Sequence, residues 1–339
     1  MKEVTVKVPG KVMLAGEYAV LRGGPALAFT LDRWLTVRGR RLDQGGGCRV
    51  RSVFLQQELD LQADAGGDRE PLTAAVKRGL AFYGPGTVAL DVDAGLDVRD
   101  GTGSSSALRL GIFKALESLA DDPGDAAGWE AARHSWRCQQ RGQQRASGYD
   151  VATQQVGGLV RFAGPAEDGS DPAGWPVEAT RLDVNRETMN RLIEVRTGGS
   201  GSPTGPLTRS TLDWLRDTGQ IMVLQSLSAD LVRAFEEVLC AADPAPDKLL
   251  RLHKVCGYHR RLFEDSPGFP GKLAADLAAL PGLDQSWSWK TTGAGGEDAV
   301  LLIGPEPARS SAAGVMARHG RVPLEAEFPG SGVQILEEA

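Results

Sequence analysis

The sequence predicts an α+β protein folded as two lobes. Three observations carry that expectation. Strand-like and helix-like stretches mix in irregular order, without the strict strand–helix alternation of a regular parallel repeat. A polar stretch rich in Pro and Gly, Gly164 to Trp175, interrupts the chain near its middle. With 339 residues, 41% of them hydrophobic and 24% charged, the chain can bury two cores of ordinary size. The lobes are accordingly expected at 1–175 and 176–339.

Taken in order, Val4 to Val8 alternates apolar and polar residues as a half-buried strand does, and Pro9-Gly10 ends it and delivers Lys11. Further strands are expected at Ala26 to Phe29, Leu35 to Arg40, Cys48 to Phe54 and Thr87 to Val92. Gly45-Gly46-Gly47 and Ala63 to Asp68 read as turns. Helices are expected at Leu72 to Phe82, Ala107 to Leu119 and Trp129 to Gln140. In the second of these, Leu108, Ile112, Ala115, Leu116 and Leu119 share one face. Beyond the boundary come a strand at Leu192 to Arg196 and helices near Thr218 to Ala241, Asp247 to Glu264 and Lys272 to Leu280. Strands at Ala299 to Ile303 and Val322 to Glu327 follow, and no internal repeat is present.

Three segments carry chemistry. In Gly101-Thr102-Gly103-Ser104-Ser105-Ser106-Ala107, glycines open a left-handed turn and hydroxyl residues feed a helix. Unpaired N–H groups and the positive end of the helix dipole then converge on one point, as a phosphate cradle requires; a plain helix cap uses the same residues. Thr291-Thr292-Gly293-Ala294-Gly295-Gly296 lies between Trp287-Ser288-Trp289-Lys290 and an apolar strand. It reads either as a second backbone-amide nest for an anion or as a glycine-rich hairpin. Lys11 offers an ammonium suited to a phosphate or carboxylate, and a solvated surface lysine is the alternative.

These three segments occur in the order and approximate spacing of the three motifs of the GHMP kinases, and the chain from about Lys7 to Ile303 resembles that superfamily. Gly16 to Leu21, Ser147 to Gly158 and Thr197 to Gly205 are most similar to the phosphomevalonate kinases within it, with the mevalonate kinases a close second. The resemblance implies an N-terminal lobe of ribosomal-protein-like fold, a C-terminal ferredoxin-like lobe and an active site between them. It implies ATP and magnesium, with Gly101, Thr102, Gly103, Ser104, Ser105 and Ser106 around the nucleotide phosphates and Ser105 as a magnesium ligand. Asp150 is implied to orient or deprotonate the acceptor hydroxyl, with Lys11 beside it; a turn aspartate is the bland reading of that position. The acceptor site is implied at Glu17, Tyr18, Ser200, Ser202, Thr204, Lys290, Gly293, Ala294, Gly295 and Gly296, with His259, Arg260 and Arg261 as further candidates. The expected reaction is ATP-dependent phosphorylation of 5-phosphomevalonate. The alternatives are a mevalonate kinase, another GHMP small-molecule kinase, or a non-catalytic nucleotide- or metabolite-binding paralogue.

The sequence departs from that pattern in three places. Glu297 and Asp298 follow the third motif where another glycine is usual, which adds negative charge beside an anion loop. The helix before Asp150 offers Gln139, Gln140, Gln143 and Gln144 where mevalonate kinases place a magnesium-binding glutamate, and an amide is a weaker ligand for a hard cation. Thr102 and Ser106 replace the usual aliphatic residue and alanine.

Composition fits this expectation. A formal charge of −6 argues against a nucleic-acid surface, and no long apolar run or leader-like N-terminus suggests a membrane, so the cytoplasm is the expected compartment. Cys48, Cys138, Cys240 and Cys256 lack a paired short spacing, and His134, His253, His259 and His319 form no metal motif. The expected partner is a small-molecule phosphate acceptor, with the protein a monomer or homodimer.

Overall fold

Two β-sheets organise the chain in a computed structural model that describes residues 2–338 apart from 44–46, 53–55, 63–69, 98–99, 123–127, 144–145, 166–173, 199–203 and 296–298. The first contains β1 (Glu3–Ala15), β2 (Ala26–Arg41), β3 (Cys48–Ser52), β4 (Gln57–Leu61), β5 (Val88–Ala94), β6 (Leu159–Ala163) and β7 (Glu178–Leu182). The second contains β8 (Ile193–Thr197), β9 (Ser288–Thr291), β10 (Val300–Ile303) and β11 (Val322–Pro323), in the order β11-β8-β10-β9. The last strand, β12 (Gln334–Glu338), returns to the first sheet and pairs antiparallel with β1.

β1 and β2 are long enough to serve two cores. Val4, Val6 and Val8 of β1 pack into the first, whereas Val12, Leu14 and Ala15 pack into the second, beneath β8 and β10. The change of side falls at a register shift between Pro9 and Lys11, where an irregular pairing reverses which residues face which way. β2 is likewise shared. Its first part pairs with β6 over Ala26–Phe29, and its last part pairs with β5 from Leu35 to Arg41. The two strands read from the sequence on either side of Asp32 are therefore one.

α1 (Pro71–Tyr83), α2 (Ser104–Leu119), α3 (Glu130–Gln143) and α4 (Tyr149–Val156) serve the first core. α2 lies between the sheet and two neighbouring helices and is buried along nearly its whole length, its charged Lys114 and Glu117 included, which pair with each other at 3.3 Å. The second sheet carries α5 (Arg186–Leu192), α6 (Thr204–Asp217), α7 (Ile221–Leu239), α8 (Pro246–Leu262), α9 (Gly271–Ala278) and α10 (Glu306–Arg318), of which α7 and α8 form an antiparallel pair. Three differences from the sequence expectation stand out. Thr204 opens α6, a helix absent from the sequence expectation. Regular pairing after Arg321 is confined to Val322–Pro323, with one further bond from Leu324 N to Val195 O at 2.8 Å, so the expected strand to Glu327 is not formed. Trp175, at the end of the Pro- and Gly-rich stretch, is fully buried and stacks on Trp136 at a centroid distance of 4.8 Å.

Candidate active site

The glycine–serine segment forms a turn that ends in the first residues of α2. Gly103 caps the helix in the left-handed region at φ 83° and, having no side chain, leaves the first-turn N–H groups without a side-chain cap. A Cβ there would lie 2.8 Å from Cε of Lys11, so the lysine packs directly on the bare glycine. Ser106 Oγ donates to Gly103 O at 2.9 Å and Ser104 is buried, which leaves Ser105 as the exposed hydroxyl of the three. Among the described residues the buried Thr102 hydroxyl has no hydrogen-bond partner, while its carbonyl accepts from Lys11 N at 2.8 Å.

Lys11 ties β1 to this turn a second time. Its ammonium donates to Gly101 O at 3.4 Å and lies over the Tyr149 ring, 5.2 Å from the centroid. Tyr149 begins α4 and Asp150 follows it, so the same packing holds the aspartate beside the turn. Gln154, one turn further along α4, is wholly buried, and its amide donates to Pro9 O at 2.9 Å and to Gly103 O at 3.1 Å. The opening strand, the glycine turn and the aspartate helix are thus bolted together by two side chains. Asp150 itself accepts from Gln139 Nε2 at 2.9 Å and, through its other oxygen, from Val151 N at 3.0 Å.

A narrow cleft adjoins this assembly, lined by Glu17, Tyr18, His259, Phe263, Gly293 and Gly295 among others. At its wall Glu17 forms a buried ion pair with Lys290, which also donates to Thr291 O at 2.7 Å. Burial pushes the Glu17 carboxyl above its usual range, and the lysine opposes that shift. His259 Nε2 lies 3.7 Å from Glu17; burial, reinforced by Lys290, drives its pKa down to about 3, so the imidazole is neutral. Tyr18 donates to Ala294 O, which fastens the second glycine cluster to the segment after β1, and burial raises its phenol to about 12.

The residues singled out from sequence are therefore placed unevenly. Lys11, Gly101, Thr102, Gly103, Ser104, Ser105, Ser106 and Asp150 come together at the turn; Glu17, Tyr18, Lys290, Gly293, Ala294 and Gly295 come together at the cleft. Ser200, Ser202, Gly296, Glu297 and Asp298 lie outside the described residues, and the backbone of Thr204 opens α6. Arg260 and Arg261 both pair with Asp284, at 2.7 and 3.1 Å, which commits them to the α8–β9 junction. Gln154 was not recognised from sequence, because one glutamine among six from position 139 to 155 carries no signal of its own. Arg109 of α2 is buried and donates to Ser105 O at 3.2 Å.

No family model matches the chain. Mevalonate kinases of Thermococcus gammatolerans and Pyrococcus abyssi are similar to it, at 23% identity over 355 residues and 22% over 350, with 98% of each chain covered in both comparisons. Among solved structures, a Listeria innocua protein superposes with a TM-score of 0.74 at 16% identity, covering 98% of this chain and 99% of the other. Lactococcus lactis galactokinase, complexed with galactose, superposes at 0.68 with 13% identity, covering 98% and 95%. The chain has the GHMP kinase fold. Within that fold the neighbours act on chemically different acceptors, so architecture alone does not select a substrate. Among the described residues no helix is long and apolar enough to cross a membrane.

Proposed function

We propose that this protein is an ATP-dependent kinase that phosphorylates a hydroxyl of a small acceptor, with mevalonate as the leading acceptor. One observation carries the reading: an uncapped helix N-terminus, an ammonium and a carboxylate are held together by Lys11 and Gln154. A γ-phosphoryl transfer needs those three things, since its demands are charge neutralisation, alignment and a partner for the acceptor proton.

The residues fit the nucleotide. First-turn amides of α2 and the Lys11 ammonium supply positive potential for phosphates, and the close packing of Lys11 on Gly103 leaves no room for a side chain at that turn. For magnesium the fit is narrower. Among the described residues no group of three or more His, Cys, Asp or Glu converges as a metal site, so the exposed Ser105 hydroxyl is the donor this turn offers and the nucleotide phosphates would hold most of the ion. When bound, the ion supplies charge neutralisation on the transferring group. Asp150 orients the acceptor hydroxyl and takes its proton; Lys11 stabilises charge on the transferring group. Glu17, Tyr18 and the second glycine cluster form the wall against which the rest of the acceptor lies.

The named relatives are mevalonate kinases, which favours mevalonate over the phosphomevalonate expected from sequence. Phosphomevalonate is retained as the second reading on one observation: the helix before Asp150 reaches it with an amide, Gln139, whereas the resemblance to mevalonate kinases implies a metal-binding glutamate on that helix. Acceptor-dependent ADP release with ATP and magnesium, measured across mevalonate, 5-phosphomevalonate, homoserine and galactose, tests the proposal. Turnover on mevalonate supports it and turnover on 5-phosphomevalonate selects the second reading. ATP binding with no release on any acceptor favours a non-catalytic binder.

A further inference from the structure

Gln139 sits on α3, facing the start of α4, and is 7% exposed. Its Nε2 donates to Asp150 Oδ2 at 2.9 Å, while Asp150 Oδ1 is held by the Val151 amide at 3.0 Å. Both oxygens of the carboxylate are therefore fixed by donors on two different elements. The other end of the glutamine amide is informative. Among the described residues Gln139 Oε1 is buried and has no hydrogen-bond partner, a cost on the order of 1–3 kcal/mol that a glutamine serving only to fill space would avoid by turning outward or being replaced by an apolar residue. Turning the amide over would set its oxygen against the Asp150 oxygen, so the donor must face the aspartate and the acceptor must go unpaired. A carboxylate at this position would stand within hydrogen-bonding distance of another carboxylate, and one of the two would have to hold a proton.

We infer that Gln139 is a positioning residue for Asp150: its amide orients the carboxylate toward the acceptor, and it does so as a donor, in a role separate from metal binding. The inference rests on the kinase reading for its purpose, but not for its test. Among the described residues, the other charged or titratable groups facing Asp150 are Arg109 from α2 and Tyr149 on α4, with Lys11 of β1 over the Tyr149 ring. These are left intact when position 139 alone is changed.

The test is the titration of the Asp150 carboxyl, followed by NMR in full-length protein labelled with ¹³C-aspartate and assigned with Asp150→Asn. In Gln139→Leu the midpoint is expected to rise by about one pH unit, the effect of losing one hydrogen bond to a charged group. In Gln139→Glu the pair is expected to titrate with an upper step raised further still. Gln139→Met, closer in shape, repeats the measurement should the leucine variant not fold. A midpoint in Gln139→Leu or Gln139→Met that coincides with the parent protein overturns the inference. In the same variants the acid limb of the kcat profile is expected to move with the carboxyl midpoint while KM for ATP stays within twofold. A midpoint that moves while the acid limb stays fixed overturns the positioning role. The titration needs no acceptor, so the inference is tested even if the kinase reading fails; that failure would show itself separately, as a parent protein without acceptor turnover.

Discussion

Gly103→Ala is the substitution that bears most directly on the nucleotide cradle. The glycine holds φ 83°, and a side chain in that left-handed region costs about 1–2 kcal/mol. Its new Cβ would also lie 2.8 Å from Cε and 3.1 Å from Cγ of Lys11, too close for either to stay where it is. Because the lysine is flexible, the clash is relieved by moving it, and the expected loss of stability remains about 1–2 kcal/mol. The functional loss is larger, because the displaced ammonium gives up its place at the turn. Removing one charge-assisted contact to a phosphate, about 1.5–3 kcal/mol, corresponds to roughly tenfold to hundredfold weaker nucleotide binding. Gly84→Ala is the matched control. Gly84 also has positive φ, at 54°, but no atom lies within 4 Å of the position its Cβ would take, and it ends α1 rather than the cradle. Urea unfolding and titration with a fluorescent ATP analogue separate the two effects. Both variants should lose similar stability and only Gly103→Ala should lose affinity. Equal nucleotide affinity in the two variants would refute the cradle.

Three further outcomes are expected. Asp150→Asn should lower acceptor-dependent turnover by about 10²–10⁴ while leaving the affinity for nucleotide within twofold, as read by steady-state kinetics beside the fluorescence titration. Lys290→Met should destabilise the protein by about 3–5 kcal/mol, because it strands the buried Glu17 carboxylate, and adding Glu17→Leu should recover most of that loss in urea unfolding. For pH, burial holds His253 at a pKa of about 4 in the folded protein, where its Nδ1 bonds Ser288 Oγ at 3.1 Å. Below about 6.5 the unfolded chain protonates this imidazole and the folded one does not, so its contribution is full above that pH and is lost as the pH falls toward 4. The slope of stability against pH between 6 and 4.5 should therefore be shallower in His253→Gln than in the parent protein, by up to about 1.4 kcal/mol per pH unit.

Some of this was open to sequence and some was not, for identifiable reasons. The start of α2 and the strand Val300–Ile303 were legible because a glycine turn followed by an apolar stripe, and a short apolar run after a glycine cluster, are local signals. The helix begins three residues before the expected Ala107, since hydroxyl residues after a left-handed glycine can take helical geometry before the apolar stripe starts. α6 was missed because Ser202-Pro203-Thr204-Gly205-Pro206 reads as a loop, although proline is well tolerated in a first helical turn. β12 is a long-range partner of β1, and nothing local in Gln334–Glu338 announces which strand it joins. At the site, residue types were legible and contacts were not. Glu17 and Lys290 were each singled out, yet 273 residues separate them and only the folded chain makes them a pair. Gln139 was noted for lacking a carboxylate; that it points its amide at Asp150 depends on how α3 and α4 pack.

The central claim is phosphoryl transfer to an acceptor hydroxyl under the control of Asp150. ³¹P NMR of the full-length protein with ATP, magnesium and mevalonate tests it most directly. The account predicts a new phosphomonoester resonance growing in step with ADP, and its absence with Asp150→Asn despite retained nucleotide binding. ADP formation without any phosphorylated acceptor, or an undiminished product signal from Asp150→Asn, would contradict it.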